Sequence, residues 1–333
     1  MNTEHAIRGR LAPSPTGFLH LGNAWAFLLA WLACRSAGGS LVLRMEDIDP
    51  ERSRAAYAEA IIRDLHWLGL DWEEGPDVSG PFGPYVQSAC MDLYAEALAR
   101  LAAGGHSYPC YCTRKELRTL AGAPHVGDAG AAYPGTCRTL TPERRAELEA
   151  AGRRPCLRLR CPTGPYAFED AVFGTQSMTL EDCGGDFALR RSDGVIAYQL
   201  AVVVDDGRMG ITQVVRGEDL LVSTPRQLAL FDLLGFPRPN YLHLPLLCDA
   251  EGERLAKRHA SLTLAALRDA GVSPAAVTGY LAAKAGLCAD AAPLTPAGLL
   301  ARVDPNLLRT RLRALPRRIR IEPNPLPRLA ARS

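Results

Sequence analysis

The stretch Arg10-Leu11-Ala12-Pro13-Ser14-Pro15-Thr16-Gly17-Phe18-Leu19-His20-Leu21-Gly22-Asn23 decides how this chain folds. It follows a short apolar segment and precedes apolar residues at helical spacing between positions 25 and 32, so it predicts a strand, a rigid turn and a helix. Pro13 and Pro15 fix the backbone of the turn, and Gly17 lets it bend. The turn between strand and helix therefore has little conformational freedom.

The end of this stretch places His20 at the N-terminus of the predicted helix. Free N–H groups and the helix dipole attract phosphate there. Gly22 has no side chain, so a flat adenine ring can lie against the backbone. A proline-rich turn with a capping histidine is the plainer interpretation, and it stays open for these residues taken alone.

Composition places the chain among globular proteins, because 47% of its 333 residues are hydrophobic and 22% are charged. The net charge of +2 says little about partners, but nine arginines from Arg302 onward face only Asp304 and Glu322. Such a segment is either a solvated tail or a contact for RNA backbone. We find no signal peptide and no apolar run that could span a membrane, and we expect a cytoplasmic protein.

A second strand is predicted at 41–45, and it leads directly into Glu46. Asp49 is a good N-cap residue and Pro50 suits a first helical position, so a helix is predicted to begin there. Strand, helix, strand and helix at this spacing indicate a doubly wound α/β fold, in which ligands bind beyond the carboxyl ends of the strands. Glu46 would lie at that edge and could hold an ammonium group; a position beside a helix cap is the alternative.

Further elements follow with less definite boundaries. A helix is predicted at 86–103, and a hairpin turn is predicted at 192–194. Segment 195–206 begins as a strand, although periodicity does not exclude a helix in its middle. Strands are predicted at 211–215 and 241–247. Three helices and a basic tail are predicted after residue 261.

Ten cysteines in a reducing compartment favour metal binding over disulfides wherever they cluster. Cys110 and Cys112 share one short turn, and Cys137 follows a Gly/Ala/Pro-rich loop, a pattern that suits tetrahedral zinc. Free buried thiols are the alternative. Three cysteines need a fourth ligand, for which the residues themselves offer His125, Asp128 and Cys156.

The opening stretch resembles the first signature of class I aminoacyl-tRNA synthetases, and its prefix resembles the glutamyl and glutaminyl branch. The segments that begin at Leu43, Ala197 and Val214 resemble the same branch. The resemblance implies that ATP and glutamate bind in a nucleotide-binding fold. The implied glutamate-binding residues are Arg10, Leu11, Ala12, Pro13, Ser14, Glu46, Tyr198 and Arg216. The implied ATP-binding residues are His20, Gly22, Asn23 and Lys257, of which His20 and Lys257 would be catalytic.

Lys257 lies in Arg254-Leu255-Ala256-Lys257-Arg258-His259, which resembles the second class I signature in its glutamyl form, Lys-Leu-Ser-Lys-Arg. Two positions depart from that form. Arg254 replaces the first lysine and keeps its charge, whereas Ala256 replaces the serine and loses a hydroxyl donor. A solvated basic loop is the alternative interpretation of this run.

The cysteine pattern resembles that of small paralogues of glutamyl-tRNA synthetase, in which a tyrosine oxygen is the fourth zinc ligand; here this implies Cys110, Cys112, Tyr133 and Cys137. Too few residues follow His259 for the helical anticodon-binding domain of full-length enzymes. The resemblance implies a monomer that activates L-glutamate with ATP and Mg²⁺ and esterifies the queuosine base of tRNA(Asp). A shortened conventional synthetase and a non-catalytic RNA-binding paralogue are the alternatives.

These inferences predict an α/β protein with a Rossmann-like parallel sheet that an insertion splits. The first half of the nucleotide-binding fold is predicted at 1–75, a zinc-containing insertion at 76–186, the second half at 187–260, and a helical region with a basic tail at 261–333. The resemblance implies the insertion, and the irregular pattern between 104 and 186 indicates where it lies.

Overall fold

The computed structural model describes residues 6–113, 115–117, 133–255 and 262–322. The strands in this part of the chain are β1 (Arg8–Leu11), β2 (Ser40–Leu43), β3 (Ser107–Cys110), β4 (Cys156–Leu159), β5 (Pro165–Asp170), β6 (Gly174–Thr179), β7 (Ala188–Arg190), β8 (Gln213–Gly217), β9 (Asn240–Leu244), β10 (Leu246–Cys248) and β11 (Arg318–Arg320). The α-helices are α1 (Leu21–Arg35), α2 (Ala55–Trp67), α3 (Met91–Ala103), α4 (Pro142–Ala150), α5 (Tyr198–Arg208), α6 (Thr224–Leu234), α7 (Leu264–Asp269), α8 (Pro274–Lys284), α9 (Pro296–Leu300) and α10 (Pro305–Arg313).

The central sheet is built from parallel pairs, as predicted. β1 pairs with β2 and β8 pairs with β9, both in parallel. Thr212, just before β8, joins the two pairs, because its N–H donates to the Arg8 carbonyl and its own carbonyl accepts from the Asn240 N–H, both at 2.9 Å. β5 continues the sheet beyond β9. The carboxyl ends of β1, β2 and β8 therefore lie along one edge, where such sheets bind ligands.

Helix α1 begins where the sequence predicts, with His20 as its N-cap residue. The His20 Nδ1 atom accepts from the Gly22 N–H at 3.1 Å, and the Asn23 Oδ1 atom accepts from the His20 N–H at 3.0 Å. These reciprocal bonds satisfy two N–H groups at the start of the helix. The bonds hold His20 at the turn that the two prolines shape.

The predicted start of the second helix at Asp49 and Pro50 is wrong. Helix α2 begins at Ala55, and its N-cap residue, Arg54, makes no side-chain capping bond. The Asp49 carboxylate instead accepts from the Glu51 N–H at 3.2 Å and pairs with Arg191 at 3.1 Å. A tertiary ion pair and a local turn thus use the carboxylate that the sequence assigned to a cap.

Segment 195–206, which periodicity left undecided, forms helix α5 from Tyr198 onward. Residues 200–206 are all buried, including Asp205 and Asp206. A helix buried on every side has no polar face, so its sequence cannot be told from a strand by periodicity alone. The predicted helix at 86–103 is shorter than expected, because 87–89 form a 3₁₀ turn before α3.

The predicted insertion contributes to two sheets. β3, β4 and β7 form a separate antiparallel sheet, whereas the hairpin of β5 and β6 pairs through Asp170 with Tyr241 of β9 in the central sheet. Part of 76–186 is therefore continuous with the nucleotide-binding fold. The division into four domains stays a prediction.

The basic segment after Arg302 is more ordered than a tail. Within residues 302–322 it forms α10 and β11, and β11 pairs in parallel with β10 just before the second signature. No helix in the described ranges is both long enough and apolar enough to cross a membrane.

Candidate active site and metal cluster

A cleft of about 640 Å³ opens at the carboxyl ends of the central strands. The segments after β1, β2 and β8 and the first turns of α1 and α5 line it. The lining residues are Arg10, Ala12, Pro13, Ser14, Thr16, Gly17, Phe18, Leu19, His20, Asn23, Ala26, Phe27, Glu46, Tyr198, Val215, Arg216, Gly217, Asp219, Leu220, Arg254 and Leu255.

Most of the predicted ligand-binding residues meet in this cleft; of those that the structure describes, two do not line it. The Leu11 side chain is wholly buried in the core, so only its main chain could serve a ligand. A Cβ atom on Gly22 would lie 3.0 Å from the His20 ring and 3.5 Å from Leu255, so the missing side chain leaves room between the two signatures. Lys257 lies outside the described residues.

The floor of the cleft is a buried ion network around Arg44. Its Nη1 atom donates to Asp206 at 2.6 Å, its Nη2 atom donates to Glu46 at 2.9 Å, and its Nε atom lies 3.6 Å from Asp205. Burial raises the pKa of Glu46, and the nearby Arg44 charge opposes the rise. The hydrogen bond from Arg44 holds the Glu46 carboxylate in place, and Glu46 lines the cleft.

Arg10 lies beside this network with hydrogen-bonding capacity to spare. Its Nη1 atom donates to the Val215 carbonyl at 3.1 Å, and its Nε atom lies 3.7 Å from Asp206. The buried Nε–H makes no hydrogen bond within the described part of the chain. Arg10 also lines the cleft, so its guanidinium could donate to a ligand there.

Arg216 is a buried cation whose hydrogen-bond acceptors are neutral. Its Nη1 atom donates to Gln227 at 2.7 Å, its Nη2 atom donates to Thr224 at 2.9 Å and to the Leu220 carbonyl at 3.3 Å, and its Nε atom donates to His243 at 3.1 Å. No carboxylate of the described residues pairs with it. A buried cation of this kind favours an anionic ligand in the cleft.

His20 and Arg254 line the side of the cleft at which the resemblance predicts ATP. Because the His20 Nδ1 atom accepts a backbone N–H, the neutral ring carries its proton on Nε2, which can donate to phosphate. Arg254, at the root of the second signature, pairs with Asp219 at 2.5 Å. The two signatures therefore meet at one end of the cleft.

A second cluster lies in the separate antiparallel sheet region. The Sγ atoms of Cys110, Cys112 and Cys137 lie within 4.8 Å of one another, so they could hold a metal ion. Cys112 and Cys137 are 3.6 Å apart, close to the edge of about 3.8 Å that Zn–S bonds of about 2.3 Å give in a tetrahedron. Burial and the neighbouring sulfurs raise the pKa of Cys112 to about 12, a repulsion that a cation would relieve.

Tyr133, which the resemblance implies as the fourth ligand, lies next to the three sulfurs. Its hydroxyl oxygen lies 3.3 Å from the Cys110 Sγ atom and accepts from the Cys137 N–H at 2.8 Å. The Arg158 guanidinium stacks over its ring at 3.9 Å from the centroid. Cys156 lies outside the three-sulfur group. His125 and Asp128 lie outside the described residues, so they stay untested.

Sequence reasoning missed the residues that surround Arg216. Asp170, Thr224, Gln227 and His243 are all buried polar side chains in contact with it or with one another. One signal was present: His243 is a histidine between two leucines of a mostly apolar strand. A buried polar residue of this kind needs a partner, but the sequence does not say which one.

Comparison with known proteins defines the class. The family "tRNA synthetases class I (E and Q), catalytic domain" matches residues 6–292. The Glutamyl-Q tRNA(Asp) synthetase of Nitratidesulfovibrio vulgaris is 65% identical, over 92% of this chain and 94% of that protein. The protein of the same name from Symbiobacterium thermophilum is 56% identical, over 89% of this chain and 92% of that protein.

Longer relatives share the same core. Glutamate--tRNA ligase 2 of Acidithiobacillus ferrooxidans is 46% identical over 83% of this chain, which spans 57% of that protein. The crystal structure of a glutamate-tRNA synthetase from Elizabethkingia anophelis superposes with a TM-score of 0.80 at 27% identity, covering 95% of this chain and 68% of that one.

The chain therefore belongs to the class I aminoacyl-tRNA synthetases, in the branch of glutamate and glutamine. Within that branch it groups with the glutamyl-Q tRNA(Asp) synthetases, since the two relatives of that name match it over nearly their whole length.

The Arg44 network yields a prediction about stability. Arg44→Met leaves three buried carboxylates without their shared cation, which should lower the free energy of unfolding by about 3–5 kcal/mol. Urea denaturation measures the loss. The control is Arg144→Met, because Arg144 forms an exposed pair with Glu147 and its loss should cost less than about 1 kcal/mol. Equal losses in the two variants would contradict the assignment.

Proposed function

We propose that this chain activates L-glutamate with ATP and transfers the glutamyl group to the queuosine base of tRNA(Asp). The observation that carries the proposal is the cleft in which Arg216, a buried cation with neutral acceptors, faces Arg10, Glu46 and Tyr198. Such a pocket suits a small zwitterion with an extra carboxylate. The names of the two relatives of matching length support the choice of acceptor.

Activation is in-line attack of the glutamate α-carboxylate on the α-phosphorus of ATP, which releases pyrophosphate. Glu46 holds the substrate ammonium, and Arg216 binds the side-chain carboxylate. His20 donates from Nε2 to the phosphates beside the N-terminus of α1, and Lys257 adds a compact positive charge. Mg²⁺, when bound with ATP, shares the charge of the pyrophosphate. Catalysis then consists of positioning and charge stabilisation, without an enzyme nucleophile.

Transfer requires the RNA to reach the mouth of this cleft. The exposed arginines of α10 and β11 lie in a segment that pairs with β10 beside the second signature. Arg317, in the same segment, lies 3.8 Å from Glu218, next to the cleft residue Asp219. We propose that these arginines bind the phosphates of the anticodon stem.

Lys257→Ala should lower the rate of glutamyl-adenylate formation by at least ~10²-fold, with glutamate affinity little changed, because its charge acts on phosphate in the transition state. ATP–pyrophosphate exchange in the presence of glutamate measures this. Lys284→Ala is the control, since Lys284 contacts the Arg320 carbonyl away from the cleft. Near-normal exchange by Lys257→Ala would remove this residue from the catalytic group.

We further propose that the cluster holds one structural zinc ion through Cys110, Cys112, Tyr133 and Cys137. Protein purified without added metal should contain one zinc per chain, and Tyr133→Phe should lose affinity because it removes one of four ligands. Elemental analysis and competition with a chelator measure both. Full zinc retention by Tyr133→Phe, with loss in His125→Ala, would assign the fourth position to histidine.

The glutamate pocket is assembled from protein residues alone, so we expect pyrophosphate exchange without any RNA. Labelled glutamate should then appear on tRNA(Asp) that carries queuosine and should be absent from tRNA(Asp) without it. Transfer should weaken steeply with salt, because phosphate contacts release counterions.

The acceptor atom decides between the candidate functions. The ester should survive removal of the 3′ adenosine. If the label leaves with that adenosine, or if exchange depends on RNA, the chain acts as a shortened conventional glutamyl-tRNA synthetase. If no exchange occurs with or without RNA, it is a non-catalytic RNA-binding paralogue.

A further inference from the structure

A chain of three buried side chains ends at the Arg216 guanidinium. The His243 Nδ1 atom lies 2.7 Å from the Asp170 Oδ2 atom, and the His243 Nε2 atom lies 3.1 Å from the Arg216 Nε atom. His243 and Asp170 are 0% and 1% exposed, so water does not compete for these bonds. None of the three lies near another in sequence.

The protonation of the chain follows from its donors and acceptors. Arg216 can only donate, so the His243 Nε2 atom must accept and the proton must lie on Nδ1, facing Asp170. Burial, together with the positive charge of Arg216, lowers the pKa of His243 to about 4 despite the Asp170 carboxylate. Burial alone would raise the pKa of Asp170, but hydrogen bonds from His243 and from the Phe173 and Val172 N–H groups lower it. The imidazole is neutral and the carboxylate is ionised.

We infer that Asp170 and His243 are positioning residues that orient Arg216 toward the carboxylate of the amino-acid substrate and so set the preference for glutamate. The inference rests on the proposed function, because it concerns the same cleft. Asp170 fixes the imidazole tautomer, and the imidazole fixes the plane of the guanidinium.

A neutral intermediary has a physical advantage over a direct ion pair. A carboxylate bound directly to Arg216 would compete with the substrate carboxylate for the same donors. The neutral His243 imidazole instead accepts one hydrogen bond from the Nε atom of Arg216. The positive charge of Arg216 is therefore not paired with a carboxylate of the described residues. Asp170 stabilises this arrangement from the far side of the ring.

The remaining contacts of Arg216 support the same orientation. Gln227 accepts from Nη1 and is itself held by Gln199, whose amide donates to Ser223 at 2.9 Å. The Tyr241 ring stacks on His243 at an interplanar angle of 7° and lies under the guanidinium at 5.2 Å. Hydrogen bonds therefore hold the edges of the guanidinium, and the Tyr241 ring packs against one of its faces.

Two substitutions of His243 separate its bond at Nδ1 from its contacts at Nε2, where the Thr224 Oγ1 atom also lies at 3.3 Å. The Gln amide reaches the place of Nε2, so His243→Gln keeps an acceptor for Arg216. The Asn amide reaches only the place of Nδ1, so His243→Asn keeps the bond to Asp170 and loses the bond to Arg216. Because a hydrogen bond to a charged group is at stake, His243→Asn should raise the KM for glutamate about 10-fold to 100-fold, with kcat and the KM for ATP changed less than about 3-fold.

His243→Gln should stay within about 3-fold of the wild type in the KM for glutamate, and His243→Asn should also discriminate less against glutamine. Asp64→Asn is the control for a general loss of stability, since it breaks a buried pair with Arg268 outside the cleft. It should lower the denaturation midpoint without changing the KM for glutamate. Pyrophosphate exchange measures every kinetic value.

If His243→Asn does not fold, a measurement on the wild type tests the inference instead. Protein labelled with ¹⁵N-histidine should show His243 as the Nδ1–H tautomer down to about pH 5, assigned from the spectrum of His243→Gln. An Nε2–H tautomer, an unchanged KM in folded His243→Asn, or equal losses in the Asn and Gln variants would overturn the inference. Absence of glutamate-dependent exchange in the wild type would instead overturn the proposed function.

Discussion

The buried guanidinium of Arg44 is the interaction on which the site depends. It follows β2, and it binds Asp206 of α5, an element much later in the chain. These partners are 162 positions apart in sequence, and the segment between them includes the antiparallel sheet region with its cysteine cluster. One cation thus holds together two parts of the fold that the chain itself separates, and it also orients Glu46 at the edge of the cleft.

The two buried arginines at the cleft, Arg44 and Arg216, differ in the charge of their partners. Arg44 is surrounded by carboxylates and is neutralised inside the protein, whereas Arg216 is surrounded by neutral acceptors and keeps its charge for a ligand. The two arginines have the same side chain and similar burial, yet Arg44 stabilises the fold, whereas we propose that Arg216 binds the substrate. Their immediate partners make the difference.

The cysteine cluster is assembled differently from the cleft. Its three sulfurs and the Tyr133 oxygen come from two short segments, residues 110–112 and 133–137. Four protein donors would leave no open position, which is the property of a structural site. The family match covers this region as well as the cleft.

The sequence by itself determined the features that depend on neighbouring residues. The strand–turn–helix unit with His20 at the helix N-terminus was predictable because prolines, glycine and apolar spacing act within a few residues. Cys110 and Cys112, which share one short turn, indicated a metal cluster for the same reason. The parallel α/β sheet followed from the alternation of such local units.

Only the tertiary structure decided the features that depend on distant partners. Asp49 caps no helix because Arg191, far along the chain, takes its carboxylate. Helix α5 could not be distinguished from a strand because its burial on all sides removes the periodic polar face. Asp170 and His243 are 73 residues apart, and His243 and Arg216 are 27 apart, so no local pattern relates them. A polar residue within an apolar segment indicates that its side chain needs a hydrogen-bond partner when it is buried. Only the tertiary structure decides which residue that partner is.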